Sequence, residues 1–431
     1  MFIQRRQQLF AAMSDNSVAI FVAAEEQVRS RDTEYPFRQD SDFFYFLGFN
    51  EPKALLLLIK QAGETRTVLF NRRKDKLAEV WQGRRLGQEQ ALLTLAVDKA
   101  FAIEDLTEYL HLELDGLSKV YMAQGRYPAY DQQIFAAIER LRLGLRQGWQ
   151  APKQIEDWRP IVDEMRLFKS SEELVLMRKA GTISAEGHCR AMRSCQPGMW
   201  EYQLEAEIHH QFLMAGARSP AYGTIVGSGE NACILHYTEN ESQLQAGDLV
   251  LIDAGAEYQG YAGDITRTFP VNGQFSREQA KLYNIVLAAE LAAIEMLKPG
   301  VSLFEANQQV LQIMVAGMVE LGIMQGDVTD LIEQEAYKEY YMHGVGHWLG
   351  LDVHDVGDYH DSKRSRPLAE NMVFTIEPGL YIPLDAEVPE AYRGMGIRIE
   401  DNVVITTTGC EVLTAAAPKT VAEIEALMAA S

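Results

Sequence analysis

Four stretches in the second half of the chain combine an apolar, β-branched run with a carboxylate: LVLIDAG with Asp253, DITRTF with Asp264, VFTIE with Glu377 and IRIED with Glu400. The apolar residues demand burial, and burial of a lone carboxylate costs several kcal/mol unless the group is neutralised or paired. Whatever this chain folds into must compensate four acids at strand positions. One solution is ion pairing, and Arg267 and Arg398 lie close by in sequence. The other is metal, since two divalent cations carry the four positive charges that four carboxylates require. Such ions sit roughly 3.5–4 Å apart in two-metal sites and generate a hydroxide nucleophile.

The imidazoles are concentrated too. The segment HGVGHWLGLDVHDVG, residues 343–357, holds His343, His347 and His354, out of nine histidines in 431 residues. An oxygen-rich site with one imidazole suits Mn(II) or a similarly hard ion. The spacing of His343 and His347 matches the histidines of a zincin helix, but Gly344 stands where the general-base glutamate belongs. Glycines at 344, 346 and 350 argue against a helix, and Val353 occupies the third metzincin position. GSGENA, 227–232, mimics a dinucleotide fingerprint without the helix pattern that should follow. No G-x-S-x-G elbow or phosphate-binding loop is present.

Length predicts two domains. Residues 1–169 alternate strand-like runs (17–24, 54–60, 67–71) with helical periodicity around 90–110 and 130–145, an α/β pattern. FFYFLGF, 43–49, is apolar and aromatic, and 147–169 reads as a connector. Ser170 and Glu173 form a capping-box pattern that opens a second domain, 170–431. There, 247–271 reads as two strands joined by a turn at Gly260, 276–297 and 303–322 as helices, and 372–382 and 396–406 as strands. A net charge of -21 argues against nucleic acid. No apolar run approaches a membrane span. MFIQRRQQLFAAM reads as a short amphipathic helix, not a signal peptide, and Cys189, Cys195, Cys233 and Cys410 as reduced thiols, which together predict a cytoplasmic protein.

Taken together, HGVGHWLGLDVHD, LIDAG, GDITRTF, TIEPGLY and GIRIED resemble, in order, the signature motifs of the pita-bread metallopeptidases, and of the aminopeptidase P family in particular. EYPFRQDSDFFYFLGFNEP, WQGRRLG and VGSGENACILHYTEN extend the resemblance over nearly the whole chain. It implies an α/β N-terminal domain followed by an α+β pita-bread (creatinase/aminopeptidase-like) catalytic domain. It further implies a metallo-exopeptidase that releases the first residue from peptides with proline second, through a hydroxide activated by two metal ions. By the same resemblance Asp253, Asp264, His347, Glu377 and Glu400 are the metal ligands, with Asp264 and Glu400 shared between the ions. His236, His343, His354 and Arg398 serve catalysis, Glu377 doubles as a proton shuttle, and Tyr381, Arg398 and His354 line the proline pocket. Asp32, Trp81 and Arg146 match positions that a neighbouring subunit lends to the substrate, so a homo-oligomer, dimer or tetramer, is expected.

Plainer readings stand beside these. Asp253 and Asp264 suit strand-end turns. Arg398 can simply neutralise acids, Tyr381 can be a packed aromatic, and Trp81 can be ordinary core or interface packing. His209 and His210 fall in a helical stretch and read as structural or exposed. Xaa-Pro dipeptidase shares the ligands and is the nearest alternative activity. Methionine aminopeptidase lacks a first domain of this size, creatinase-like enzymes lack the ligands, and so do the non-enzymatic pita-bread modules.

Overall fold

The computed structural model describes residues 1–430. The chain divides into two compact units, Met1–Asp163 and the remainder from Glu164. The division falls inside the helix Arg159–Leu167, a few residues ahead of the boundary expected at 169/170.

The first unit is built on a six-stranded mixed sheet. Its central strand, Ser17–Val22, pairs antiparallel with Leu55–Gln61 and parallel with Lys119–Tyr121. The Leu55–Ile59 run is buried at every position, which is why it reads as continuous apolar sequence and not as an alternation. Two segments depart from the sequence reading. The helical stretch at 90–110 is really a helix, Gly87–Thr94, a parallel strand, Lys99–Ala102, and a second helix, Leu106–Leu114. The aromatic run lies in a short helix, Ser41–Leu47, capped by the Asp40 carboxylate on the backbone N–H groups of Asp42 and Phe43, and closed by Gly48 in the left-handed region.

In the second unit the Ser170–Glu173 capping box forms and opens the helix Ser171–Ser194. This helix, Glu201–Met214, Arg277–Met296 and Leu303–Glu320 share one apolar core with small antiparallel sheets. Leu249–Asp253 pairs with Ile225–Ser228 and Thr266–Pro270. Val373–Ile376 pairs with Asp401–Ile405, and Gly379–Ile382 with Met395–Arg398. The stretches 372–382 and 396–406, expected as single strands, are each broken. The breaks fall at Glu377–Pro378 and at Ile399–Glu400, so both acids sit where the chain leaves one ladder and enters the next. Likewise 247–271 contains four short strands, and between the first two Gly255 lies so close to the Gly263 carbonyl that no side chain would fit there. No helix among the described residues is long and apolar enough to cross a membrane.

Candidate metal centre

Strand ends deliver the acids to one place. Asp253 ends its strand opposite Thr266, Glu377 follows Ile376, and Glu400 lies between Arg398 and Asp401. The 343–357 segment crosses them without a helix, as its glycines predict. At Gly346 an added Cβ would run into the Thr375 carbonyl, and at Gly350 into the Asp355 carboxylate. Only glycine permits that approach. Gly344 has open space beside it, so the argument from close approach does not extend to it.

His347 is held by the strand it approaches. Its N–H donates to Thr375 Oγ1 (3.0 Å), and Thr375 N–H donates to the His347 carbonyl (2.9 Å). Its Nδ1 faces the Trp348 carbonyl at 3.0 Å, which keeps a proton on Nδ1 and turns Nε2 toward the acids. Nε2 lies 3.3 Å from Asp264 Oδ2 and 3.4 Å from Glu377 Oε1, longer than charge-assisted hydrogen bonds. Donor atoms of Asp264, His347 and Glu400 all lie within 4.8 Å of one another.

The charges here are not balanced by protein cations. Arg398 donates to Asp253 Oδ2 (2.6 Å), to Tyr381 (2.8 Å) and, through Nε, to Thr266 Oγ1 (3.0 Å). Arg267 turns elsewhere, to Asp401 (2.8 Å) and the Glu400 carbonyl (2.7 Å). Burial, reinforced by the other acids, pushes Glu400 well above the usual carboxylate range and Glu377 up to about 7. Burial also raises Asp264, against the opposing pull of His347. Burial disfavours a charged His347, yet Asp264 and Glu377 outweigh it and lift the imidazole to about 9. The Tyr222 hydroxyl has one proton for two acceptors, Asp253 Oδ1 (2.5 Å) and Asp264 Oδ1 (2.6 Å). Surplus carboxylates, oxygen donors and one imidazole with its Nε2 inward are the donor set of a hard divalent cation.

The cluster forms one wall of a cavity of about 550 Å³, which Asp253, Asp264, His347, Glu377, Glu400, His236, His343, His354 and Arg398 all line. Tyr381 stands behind that wall. It is fully buried, and its hydroxyl is shared between His343 Nε2 (2.8 Å) and Arg398. Since His343 Nδ1 donates to the Gly344 carbonyl (2.8 Å), both its ring nitrogens are engaged. Burial and Arg398 hold its pKa down to about 4, so it is neutral. His236 and His354 are the other two imidazoles on the cavity wall besides His343 and His347, and neither makes a side-chain hydrogen bond among the described residues. Asp32, Trp81 and Arg146 belong to the first unit and are all exposed, with Trp81 81% accessible on a short helix, Lys76–Gln82, and hence no core residue of this chain. His209 bonds Thr224, and His210 is exposed.

Residues 175–407, more than half of the chain, match the profile of metallopeptidase family M24, and residues 2–121 that of the aminopeptidase P N-terminal domain. The chain belongs to metallopeptidase family M24. It is 57% identical to the Xaa-Pro aminopeptidase of Escherichia coli K12, over 100% of this chain and 98% of that one. It is 49% identical to the Xaa-Pro aminopeptidase of Haemophilus influenzae, over 99% and 96%. A solved structure of zinc-substituted E. coli aminopeptidase P with product superposes with a TM-score of 0.98 at 57% identity, covering 100% of this chain and 98% of that one. The second unit thus carries the pita-bread fold of the family.

Within this M24 site several supporting residues lie outside the sequence reading. Thr375 accepts from His347 N–H and donates to Glu377 Oε1 (3.0 Å). Thr266 donates to Glu400 Oε2 (2.6 Å). Each stands two residues from an acid on its own stretch, a same-face spacing that could have singled it out. Asn402, which braces the Asp264 backbone, stands at the same spacing from Glu400, whereas Tyr222 has no such signal.

Proposed function

We propose that this chain is a metal-dependent aminopeptidase that hydrolyses the N-terminal Xaa-Pro bond of peptides. The observation that carries this reading is the charge-unbalanced set Asp253, Asp264, His347, Glu377 and Glu400 on a cavity wall, in a chain alike over its full length to Xaa-Pro aminopeptidases. These five residues would hold two divalent ions, with Mn(II) favoured by donor hardness. When bound, the ions supply Lewis acidity for activating water and polarising a carbonyl.

The chain's own residues do the rest. His236 and His354 make no side-chain hydrogen bond among the described residues, so their N–H groups are available to charge developing on the scissile carbonyl oxygen. Glu377, on the wall of the same cavity, is placed to pass a proton to the leaving proline nitrogen. His343, Tyr381 and Arg398 form a braced wall that fixes the floor for the pyrrolidine ring. An Xaa-Pro amide has no N–H, so recognition by shape replaces the backbone pairing that other peptides offer. Residues 1–169 act in oligomerisation and in forming the substrate channel, with Asp32, Trp81 and Arg146 exposed for a second copy; a dimer or tetramer follows. The acidic composition and unpaired cysteines favour a cytoplasmic setting.

The test is to strip the protein with chelator, restore Mn(II), and compare an Xaa-Pro-Yaa tripeptide with the Xaa-Pro dipeptide and an Xaa-Ala-Yaa tripeptide. Mn-dependent cleavage of the proline tripeptide, with the other two slow, is expected. Cleavage of the dipeptide alone would move the assignment to Xaa-Pro dipeptidase, and no cleavage of any would end it.

A further inference from the structure

His354 poses a problem of placement. It lines the cavity and meets the His347 ring edge-on at 4.3 Å, but its own imidazole makes no hydrogen bond among the described residues. Its position must come from the backbone. The next residue, Asp355, points the other way into a buried cluster. Oδ1 accepts from Arg166 at 2.5 Å and Oδ2 from Lys169 at 3.1 Å, with all three side chains 1–2% exposed. Arg166 also reaches Asp352 at 2.8 Å. Lys169 is fixed in turn, its N–H donating to the Asn371 carbonyl at 3.0 Å.

This cluster closes a loop. Asp355 N–H donates to the Trp348 carbonyl at 2.9 Å, the same oxygen that keeps a proton on His347 Nδ1. The carboxylate also fills the space that a side chain at Gly350 would occupy. Buried ion pairs contribute little net stability, because desolvation offsets the attraction, but they impose one geometry. Here the geometry imposed is that of the turn carrying His354.

We infer that Asp355, clamped between Arg166 and Lys169, is a positioning residue that holds His354 against the substrate. The inference rests on the proposed aminopeptidase activity. Its test is a double-mutant cycle, with kcat and KM for an Xaa-Pro-Yaa tripeptide and calorimetric Mn(II) affinity as readouts. His354→Ala is expected to lower kcat/KM by about 100-fold and Asp355→Asn by about 10- to 100-fold. The double variant is expected to be no worse than threefold below His354→Ala alone. Mn(II) affinity is expected to stay within threefold, because Thr375 holds His347 independently. Should Asp355→Asn fail to fold, Lys169→Met, which leaves Arg166 as the cation facing Asp355 and Asp352, takes its place in the cycle. Additive losses, a full-sized loss traced to weakened Mn(II) binding, or an inert His354→Ala would each overturn the inference. A wild-type protein that cleaves no proline tripeptide would instead overturn the activity on which it rests.

Discussion

Glu400 and Asp401 are neighbours in the chain, both buried, and they live in opposite electrostatic worlds. Glu400 faces the cavity, where among the described residues Thr266 is its one side-chain hydrogen-bond donor, and burial among other acids pushes it well above the carboxylate range. Asp401 faces the other way. Burial would raise it too, but Arg267 and Lys419 outweigh that and hold it far below the range. On that side Asp401 has two cations against it. Lys419 also reaches Glu290, and Arg267 further ties the Ala417 and Pro418 carbonyls to the strand. The difference teaches how to recognise a site built for a cation: its acids are buried and left uncompensated, one residue away from an acid that Arg267 and Lys419 compensate.

The sharpest way to break this contrast is to neutralise each acid in turn. Glu400→Gln is expected to lower kcat/KM by about 10³ or more, equivalent to ~4 kcal/mol. In chelator its urea midpoint should match wild type, because the raised pKa already keeps Glu400 protonated there. Asp401→Asn should behave in reverse. Leaving Arg267 buried without its carboxylate costs about 3–5 kcal/mol, and the loss should appear in urea unfolding with chelator present. If both variants lost the same stability, the two faces would not differ as described.

His188 extends the comparison to a buried base. It lies against the Ala254 carbonyl (3.0 Å), and burial holds its pKa down to about 4. The unfolded chain takes up its proton near pH 6.5, the folded chain only near 4, so stability falls as pH drops through that window and is fully present above it. The loss at the acid end is about 3 kcal/mol. Urea midpoints measured from pH 7 to 4 should show a shallower decline for His188→Asn. The smallest effect comes from the ion itself: Mn(II) at about 100 times its Kd should stabilise wild type by ~2.7 kcal/mol and Glu400→Gln by much less.

Much of the site was legible because a charged residue inside an apolar run is costly enough to demand a reason. That argument singled out Asp253, Asp264, Glu377 and Glu400, and the glycine spacing set His347 apart from a zincin helix. What the pattern could not convey was where each ladder ends. Residues 372–382 and 396–406 read as unbroken strands, since periodicity registers side-chain faces and not a change of hydrogen-bonding partner. Lys99–Ala102 was hidden by helical flanks, and the aromatic helix Ser41–Leu47 is set by its Asp40 cap and tertiary packing more than by propensity. Tyr222 was invisible because nothing local marks a tyrosine that bridges acids 31 and 42 positions away. The engagement of both His343 nitrogens is likewise a fact of three-dimensional neighbours, Gly344 and Tyr381.

The contact between Gly346 and the Thr375 carbonyl bears on anyone who would re-engineer the donors. Thr375 grips His347 and Glu377 at once, so a single methyl group at position 346 would displace both in one stroke. Libraries aimed at a different metal can vary oxygen for nitrogen among the donors themselves, but position 346 has to be left out of the randomisation. It carries no donor atom, yet it is as unforgiving a coordinate of the design as any residue that does.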